Sequence, residues 1–237
     1  MMARIPALVF AALLCGCVAD NTQSLVITQN DVPEVSGNTC IAPAGESTTF
    51  RASGTLDISF FSGYSGYPGP SAGYLLFPAV KNNLSGSVAG TSITTNATMF
   101  TIEVNRVDVD LTDAGGASLT QPFSVPVYKV LEAGSVIGLA VDVVPAEVIS
   151  SLYDGMLIFA KVKVVGNRDG STIHSNTMQY PISVCDGCLF HDAGACVDFT
   201  GTGSANLCNI AQDEVAVCCE DSVDGLICPA VTETVSG

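Results

Sequence analysis

Histidine is scarce in this chain, and the motifs that usually mark catalytic sites are missing from it. There are two histidines, His174 and His191, and no Gly-x-Ser-x-Gly turn, glycine-rich phosphate loop or histidine pair at helical spacing. Residues 63–66, Gly-Tyr-Ser-Gly, resemble the serine turn only in part, because the final glycine is lacking. The sequence therefore predicts a protein that is not an enzyme, with an exported hydrolase as the alternative.

Basic residues are also few. The chain has 8 Lys and Arg against 23 Asp and Glu, which gives a formal net charge of −15 at pH 7. Because like charges repel, nucleic acids and anionic lipid headgroups are disfavoured as partners. After the N-terminus there is no apolar run of about 20 residues, the length that a membrane-spanning helix needs. We interpret the acidity as a feature of a soluble, exported domain.

The N-terminus has the layout of a bacterial lipoprotein signal, in which an apolar run after Arg4 leads into small residues and a cysteine. The run ends in the lipobox-like segment Leu14-Cys15-Gly16-Cys17. We predict that residues 1–16 are a removable signal peptide and that Cys17 carries acyl chains such as palmitate. The residue after it is Val18 rather than Asp, which favours the outer membrane. The alternative is an ordinary secretory signal that is cut near Ala19.

Eight cysteines follow that signal, and an even number in an oxidising compartment predicts disulfide bonds. They are Cys40, Cys185, Cys188, Cys196, Cys208, Cys218, Cys219 and Cys228. All but Cys40 lie between 185 and 228, which leaves an odd number there. If every cysteine pairs within the chain, Cys40 must bond to this cluster. We expect the neighbours Cys218 and Cys219 to pair with separate partners.

Part of this cluster also has the residue types of a metal site. Cys185, Cys188, His191 and Cys196 offer ligands at a spacing that suits tetrahedral zinc, and a Cys-x-x-Cys pair is also found in redox proteins. Export favours structural disulfides over both. The residues before Cys185 also predict a strand, not the helix start that activates a redox cysteine. We therefore expect no cofactor and keep a zinc or redox protein as the alternative.

Composition and periodicity predict an all-β protein. The chain is 48% hydrophobic and 13% charged, and its many Val, Thr, Ser and Gly residues favour strands and turns. Short alternating segments separated by turn residues are typical of an immunoglobulin-like or similar antiparallel β-sandwich. We assign a lipidated tether to 17–46, with an edge strand at 25–27, the sandwich to 47–184, and a cysteine-rich appendix to 185–237. The appendix has too few apolar residues to fold without crosslinks.

Alternation of apolar residues locates several strands within the sandwich. Two such sets are Leu56, Ile58, Phe60 and Ile137, Leu139, Val141, Val143. Between 100 and 111 the alternation slips by one residue at Asn105-Arg106, which predicts a β-bulge that keeps both halves on one face.

The sequence also predicts a β-hairpin in the second half of the sandwich. Residues 156–165 are apolar on both faces for part of their length, which is typical of a central strand. Residues 172–184 are the expected partner, after a turn at 166–170. One short helix is expected from Pro145 to Leu152.

A loop rich in glycine, serine and proline is the best candidate for ligand contact. It carries Tyr64, Tyr67 and Tyr74, and tyrosines on such a scaffold provide flat, amphipathic contact area at low entropic cost. A protein or a glycan would be the partner. The alternative is a long turn whose tyrosines pack over the end of the sandwich.

Several segments resemble uncharacterised predicted lipoproteins of the myxobacterial type. They are residues 53–58, 73–84, 180–188 and 212–213, the last of these followed by Cys218-Cys219. The resemblance departs at 209–212, where Asn-Ile-Ala-Gln stands in place of Asn-Pro-Gly-Gln. It implies an extracytoplasmic lipoprotein of a Gram-negative envelope and no known activity. The sequence thus predicts a lipid-anchored protein with a binding, adhesion or structural role.

Overall fold

The structure is a computed structural model, and it describes residues 23–36, 39–61, 73–84, 100–200, 203–222 and 225–229. Most of these residues lie in strands, which confirms the all-β class. In chain order the strands are β1 Leu25–Asn30, β2 Glu34–Ser36, β3 Thr39–Ile41, β4 Gly54–Asp57, β5 Tyr74–Leu76, β6 Pro78–Asn82, β7 Ile102–Asp113, β8 Phe123–Leu131, β9 Val136–Gly138, β10 Val141–Val144, β11 Leu157–Arg168, β12 Ser171–Cys185, β13 Phe190–Ala195, β14 Ala216–Asp221 and β15 Gly225–Ile227. Within these ranges no helix has the length and apolar character of a membrane span.

The largest sheet has five strands in the order β4-β12-β11-β7-β8. All its neighbours are antiparallel except β4 and β12, which are parallel. The predicted central strand is confirmed as β11, and its hairpin partner as β12. The turn is tighter than predicted, because only Asp169 and Gly170 separate the paired residues Arg168 and Ser171. Both have positive φ, of 50° and 77°, which suits a two-residue hairpin turn.

The predicted bulge in β7 is also confirmed. Val104 pairs with Gly166 and Arg106 pairs with Val165, so Asn105 has no partner in β11. The extra residue restores the phase of the alternation. Ile102 before the bulge and Val107 after it are both fully buried.

A second layer faces this sheet and closes the sandwich. It consists of the three-stranded sheet β1-β6-β9 and the pair β5-β10. Buried residues of both layers form one core cluster, in which Leu25, Leu76 and Val141 are among the fully buried members from the second layer. The edge strand expected near the N-terminus is β1, so part of the predicted tether is built into the sandwich.

Two predicted strands are wrong in extent. The alternation from Ile137 to Val143 is divided, because β9 pairs with β6 and β10 pairs with β5. The strand through Leu56 ends at Asp57, and a 3₁₀ helix covers Ile58–Phe61. The physical reason is local, since the Asp57 carboxylate accepts a hydrogen bond from the Ser59 amide at 2.9 Å and so turns the chain.

The predicted helix is present but shorter. It is α1, Ala146–Ile149, with Pro145 as the residue that precedes it. The chain leaves this region through Gly155, whose φ of 78° is left-handed and suits glycine.

The described part of the C-terminal segment, residues 185–200, 203–222 and 225–229, is packed into the same core as the sandwich. Its strands form the sheet β13-β14-β15. Its members of the core cluster are Leu189, Ile210, Ala211, Ala216, Cys218 and Leu226. The segment is therefore held by apolar packing as well as by crosslinks.

All eight predicted cysteines form disulfides. The bonds are Cys40–Cys208, Cys185–Cys188, Cys196–Cys219 and Cys218–Cys228. The expected link from Cys40 to the cluster is confirmed, as are the separate partners of Cys218 and Cys219. The Cys40–Cys208 bond ties the region before β4 to the C-terminal segment, over a sequence separation of 168 residues.

Candidate functional site

An open groove of about 540 Å³ lies on the outer face of the five-stranded sheet. Charged and hydroxyl side chains line most of it, and Pro122 and Phe123 add apolar surface at one side. Among the described lining residues, Arg106, Lys161 and Lys163 are accompanied by two carboxylates, those of Asp108 and Asp110. The groove is therefore locally positive in a chain whose net charge is −15.

Strand alternation places these charges on the outside. In β7, Val107 and Val109 are buried in the core, so Asp108 and Asp110 point to the opposite face. In β11, Val162 is fully buried and its neighbours Lys161 and Lys163 point outward. The bulge at Asn105 matters here, because it sets the phase in which β7 presents its carboxylates.

The strand register aligns the polar residues in rows across the sheet. One row runs over four strands as Ser124, Asp108, Lys163 and Thr177. The next pairs Asp110 with Lys161 and continues to Gln179. Opposite charges on neighbouring strands stabilise such rows. The result is a ladder of alternating hydrogen-bond donors and acceptors that is open to solvent.

Asp108 is the most strongly held carboxylate of the groove. The Ser124 hydroxyl donates to its Oδ1 at 2.7 Å, and Arg106 Nε lies 3.0 Å from the same atom. Burial alone raises the pKa of Asp108. The bonds from Ser124 and Arg106, with the charges of Arg106 and His174, outweigh burial and lower the pKa below its usual value. Asp108 is therefore ionised at neutral pH.

The two lysines of β11 differ in their partners. Lys161 Nζ lies 3.8 Å from Asp110 Oδ2, which is a loose ion pair. Lys163 has no ion pair within the part of the chain that the structure describes, and its side chain lines the groove. Asp110 Oδ1 is buried and has no hydrogen-bond partner among the described residues. Lys163 thus keeps unused bonding capacity on this surface.

His174 lies on the exposed face of β12, as expected of a strand residue. A hydrolase reading would require it to stand between a nucleophile and a carboxylate. Ser124 instead donates directly to Asp108, and the lowered pKa of Asp108 makes it a weak base. The charge of His174 contributes to the lowered pKa of Asp108, so His174 lies near this carboxylate of the groove.

The predicted tyrosine loop is not a single surface. Tyr64 and Tyr67 lie outside the described residues. Tyr74 is fully buried in β5, so its assignment to an exposed contact loop is wrong. The physical reason is that its ring packs in the core against Tyr180, with ring centroids 6.1 Å apart.

The Tyr74 hydroxyl belongs to a buried polar cluster that joins the sandwich to the C-terminal segment. It bonds to the Asp213 carboxylate, which also pairs with Arg51 at 2.9 Å. Beside it, the Gln212 amide bonds the backbone N–H of Leu75 at 2.8 Å and its carbonyl at 3.1 Å. Burial, together with the Asp213 charge, raises the pKa of Tyr74 well above its usual value. The polar groups of this cluster provide one another with hydrogen-bond and ion-pair partners. We therefore assign them a structural role.

The other predicted site residues fall into two groups. The lipidation residue Cys17 lies outside the described residues. Of the alternative zinc ligands, Cys185 and Cys188 bond each other and Cys196 bonds Cys219, while His191 is an exposed residue of β13. Disulfide sulfurs are not thiolates, so the predicted set does not act as a zinc site in this state.

A different grouping is present at the Cys185–Cys188 bond. The Asp57 carboxylate lies with both sulfurs in a set whose atoms are all within 4.8 Å of one another. Its oxygens accept hydrogen bonds from the backbone N–H groups of Gly187 at 2.8 Å and Leu189 at 2.7 Å. Asp57 could not be assigned to this grouping from the sequence, because its parallel pairing with Cys185 is a long-range feature.

Comparison with known proteins gave no match to a family model, to a curated protein or to a solved structure.

The charged residues of the groove were visible in the sequence only as separate alternations. Asp108 and Asp110 alternate with valines in one segment, and Lys161 and Lys163 do so in another. Such polar positions usually mark a solvated strand face. The missing information was that β7 and β11 are neighbours, which brings the two sets into register.

Proposed function

We propose that this protein is a lipid-anchored extracytoplasmic protein of the outer membrane with a non-enzymatic binding role. Support for export and anchoring comes from the lipobox-like segment that ends at Cys17, and from the resemblance to predicted envelope lipoproteins. Four disulfides accord with an oxidising compartment. The binding role rests on the groove of the five-stranded sheet.

The observation that carries the binding role is the row of side chains from Ser124 to Thr177. It sets a hydroxyl, a carboxylate, an ammonium group and a second hydroxyl side by side across four strands. Neighbouring strands are spaced by about 4.8 Å. A ligand that lies across the strands would meet donors and acceptors in alternation.

An anionic glycan fits this surface best. Sugar hydroxyls both donate and accept, as the row requires, and Lys163 has no carboxylate partner among the described residues, so it is available for an acidic sugar. The surplus of positive charge in the groove favours acidic over neutral glycans.

The anchor is tested by labelling. The full chain is expressed in a Gram-negative host with radioactive palmitate, beside a Cys17→Ala variant. We expect label in the wild-type protein, and none in the variant. Label in neither protein, with the wild-type chain recovered in the soluble periplasmic fraction, would contradict lipidation.

The groove is tested by calorimetric titration with an oligomer of galacturonic acid, using a neutral galactose oligomer as the comparison. We expect binding of the acidic oligomer only, weakened roughly tenfold in Lys163→Gln, since a charge-assisted hydrogen bond contributes about 1.5–3 kcal/mol. Lys81→Gln is the matched control, because Lys81 lies outside the groove near Glu46, at 3.9 Å. Equal binding by both lysine variants, or no binding of the acidic oligomer, would contradict the proposed site.

A further inference from the structure

We propose that the Cys185–Cys188 disulfide is a thiol–disulfide exchange site that accepts two electrons from a dithiol polypeptide. This activity goes beyond the proposed glycan binding and uses a different part of the molecule. It is carried by three observations: the exposure of the bond, the small loop that it closes, and the second set of bonds that holds the same loop.

The bond is the most accessible of the four. Cys188 is exposed and Cys185 is half-buried, whereas the other six bonded cysteines are buried or half-buried. Both sulfurs of the Cys196–Cys219 bond belong to residues at or below 1% exposure. An attacking thiolate must reach a sulfur along the S–S axis, so access selects Cys188 as the point of attack.

The Cys185–Cys188 bond also closes the shortest chain loop of the four disulfides. Its cysteines are separated by 3 residues, against 10, 23 and 168 in the other bonds. Because a crosslink stabilises a fold in proportion to the logarithm of the loop that it closes, opening this bond releases the least chain freedom. The site can therefore cycle without unfolding the protein.

A second set of bonds holds the same loop without the disulfide. The buried Asp57 carboxylate accepts the backbone N–H of Gly187 at 2.8 Å on Oδ1 and that of Leu189 at 2.7 Å on Oδ2. Asp57 is itself fixed, since its own N–H donates to the Ala211 carbonyl at 2.8 Å. Leu189 is anchored in the core. These contacts keep both cysteines in place after the S–S bond opens.

Asp57 also acts on the charge of the opened site. Its carboxylate lies within 4.8 Å of both sulfurs, and like charges at that distance disfavour ionisation. The reduced cysteines are therefore held as thiols, and Asp57 is a positioning residue that sets their protonation.

The exchange balances as two steps. A client thiol loses its proton to water, and the resulting thiolate attacks Cys188 Sγ. The Cys185–Cys188 bond breaks, a mixed disulfide forms, and the departing Cys185 sulfur takes a proton from water. The second client thiol then loses its proton and attacks the client sulfur of the mixed disulfide, and Cys188 leaves and is protonated. The client is oxidised to a disulfide and the protein is reduced to a dithiol.

The test uses the full chain and a synthetic peptide with two cysteines, mixed in equal amounts, acid-quenched, alkylated and mapped by peptide mass. We expect the Cys185–Cys188 bond to open roughly tenfold or more faster than the other three, with the circular dichroism of the strands unchanged. A variant of the peptide with a single cysteine should stop the reaction at the mixed disulfide on Cys188, with Cys185 recovered as an alkylated thiol. Opening of another bond first, or opening of this bond only at the rate of global unfolding, would overturn the proposal.

The role of Asp57 is tested on the reduced site by the pH dependence of its alkylation. Asp57→Asn should move the midpoint of that profile to lower pH, which a purely structural role would not do. Asp154→Asn is the matched control, because Asp154 also bonds this loop, through the Asp186 N–H at 3.3 Å, but lies outside the set around the sulfurs. An unchanged midpoint in Asp57→Asn, or an equal shift in both variants, would contradict the assignment.

Discussion

The hydroxyl of Tyr74 lies 2.8 Å from one carboxylate oxygen of Asp213 and 2.9 Å from the other. Tyr74 is in the second layer of the sandwich, and Asp213 is in the C-terminal segment. Since Tyr74 is fully buried, this contact is shielded from water and is stronger than a surface hydrogen bond. It fixes the C-terminal segment against the sandwich independently of the disulfides.

Removing that hydroxyl should therefore destabilise the fold. We expect Tyr74→Phe to lower the free energy of unfolding by about 1–3 kcal/mol, because a buried carboxylate loses a donor. Urea unfolding followed by circular dichroism measures the change. Tyr128→Phe is the matched control, since Tyr128 is 75% exposed, and equal stability of the two variants would show that the contact contributes nothing.

The close approach of Gly54 to Tyr74 gives a second prediction. A Cβ at Gly54 would overlap the Tyr74 hydroxyl, whereas a Cβ at Gly45 would meet no atom within 4 Å. We expect Gly54→Ala to destabilise the protein by about 1–3 kcal/mol through overpacking. Gly45→Ala should leave thermal stability unchanged or slightly raised. A Gly54→Ala variant as stable as Gly45→Ala would mean that Tyr74 does not occupy this position.

Asp142 makes the stability of the fold depend on pH. Burial, with a smaller effect of the Glu147 charge, raises the pKa of Asp142 to about 6, although backbone N–H groups of Val144 and Tyr74 oppose the rise. The folded state therefore binds a proton more tightly than the unfolded state, whose carboxyl has a pKa of about 3.9. The contribution of this group is favourable at low pH and is lost as the pH rises from about 4 to about 6.

Asp142→Asn should remove the loss of stability that accompanies ionisation of Asp142. We expect the variant to be about 1–2 kcal/mol more stable than the wild-type protein at pH 8, and equally stable at pH 4. Denaturant titrations at the two pH values measure the difference. A variant that is less stable at pH 8 would contradict the direction of the Asp142 shift.

The Cys40–Cys208 bond should be the most important crosslink for stability. It closes a far longer loop than the Cys185–Cys188 bond. We expect Cys40→Ser with Cys208→Ser to lower the free energy of unfolding by about 2–5 kcal/mol. The matched pair Cys185→Ser with Cys188→Ser should cost less, and the reverse order in urea unfolding would contradict the loop-length argument.

Much of the fold could be predicted because its causes are local. The hairpin of β11 and β12 follows from alternation and turn residues, and the bulge at Asn105 follows from a slip in the same alternation. The bond from Cys40 follows from parity among the eight cysteines. Each of these needs only neighbouring residues or a count.

The site could not be predicted, because it depends on which distant strands are neighbours. Lys163 lies opposite Asp108 through the β7–β11 register, and Asp57 lies opposite Cys185 through a parallel pairing. Tyr74 was misplaced for the same reason, since its buried partners Tyr180 and Asp213 are more than a hundred residues away. Glycine and proline before it gave the pattern of a loop.

The intact mass of the protein, purified from its own membrane without reducing agent, tests the central claim most directly. We predict a tri-acylated chain that starts at Cys17 and lacks eight hydrogens, which corresponds to a lipoprotein with four disulfides. A chain without acyl groups, or one that retains residues 1–16, would contradict the lipid anchor and with it the proposed place of this protein in the envelope.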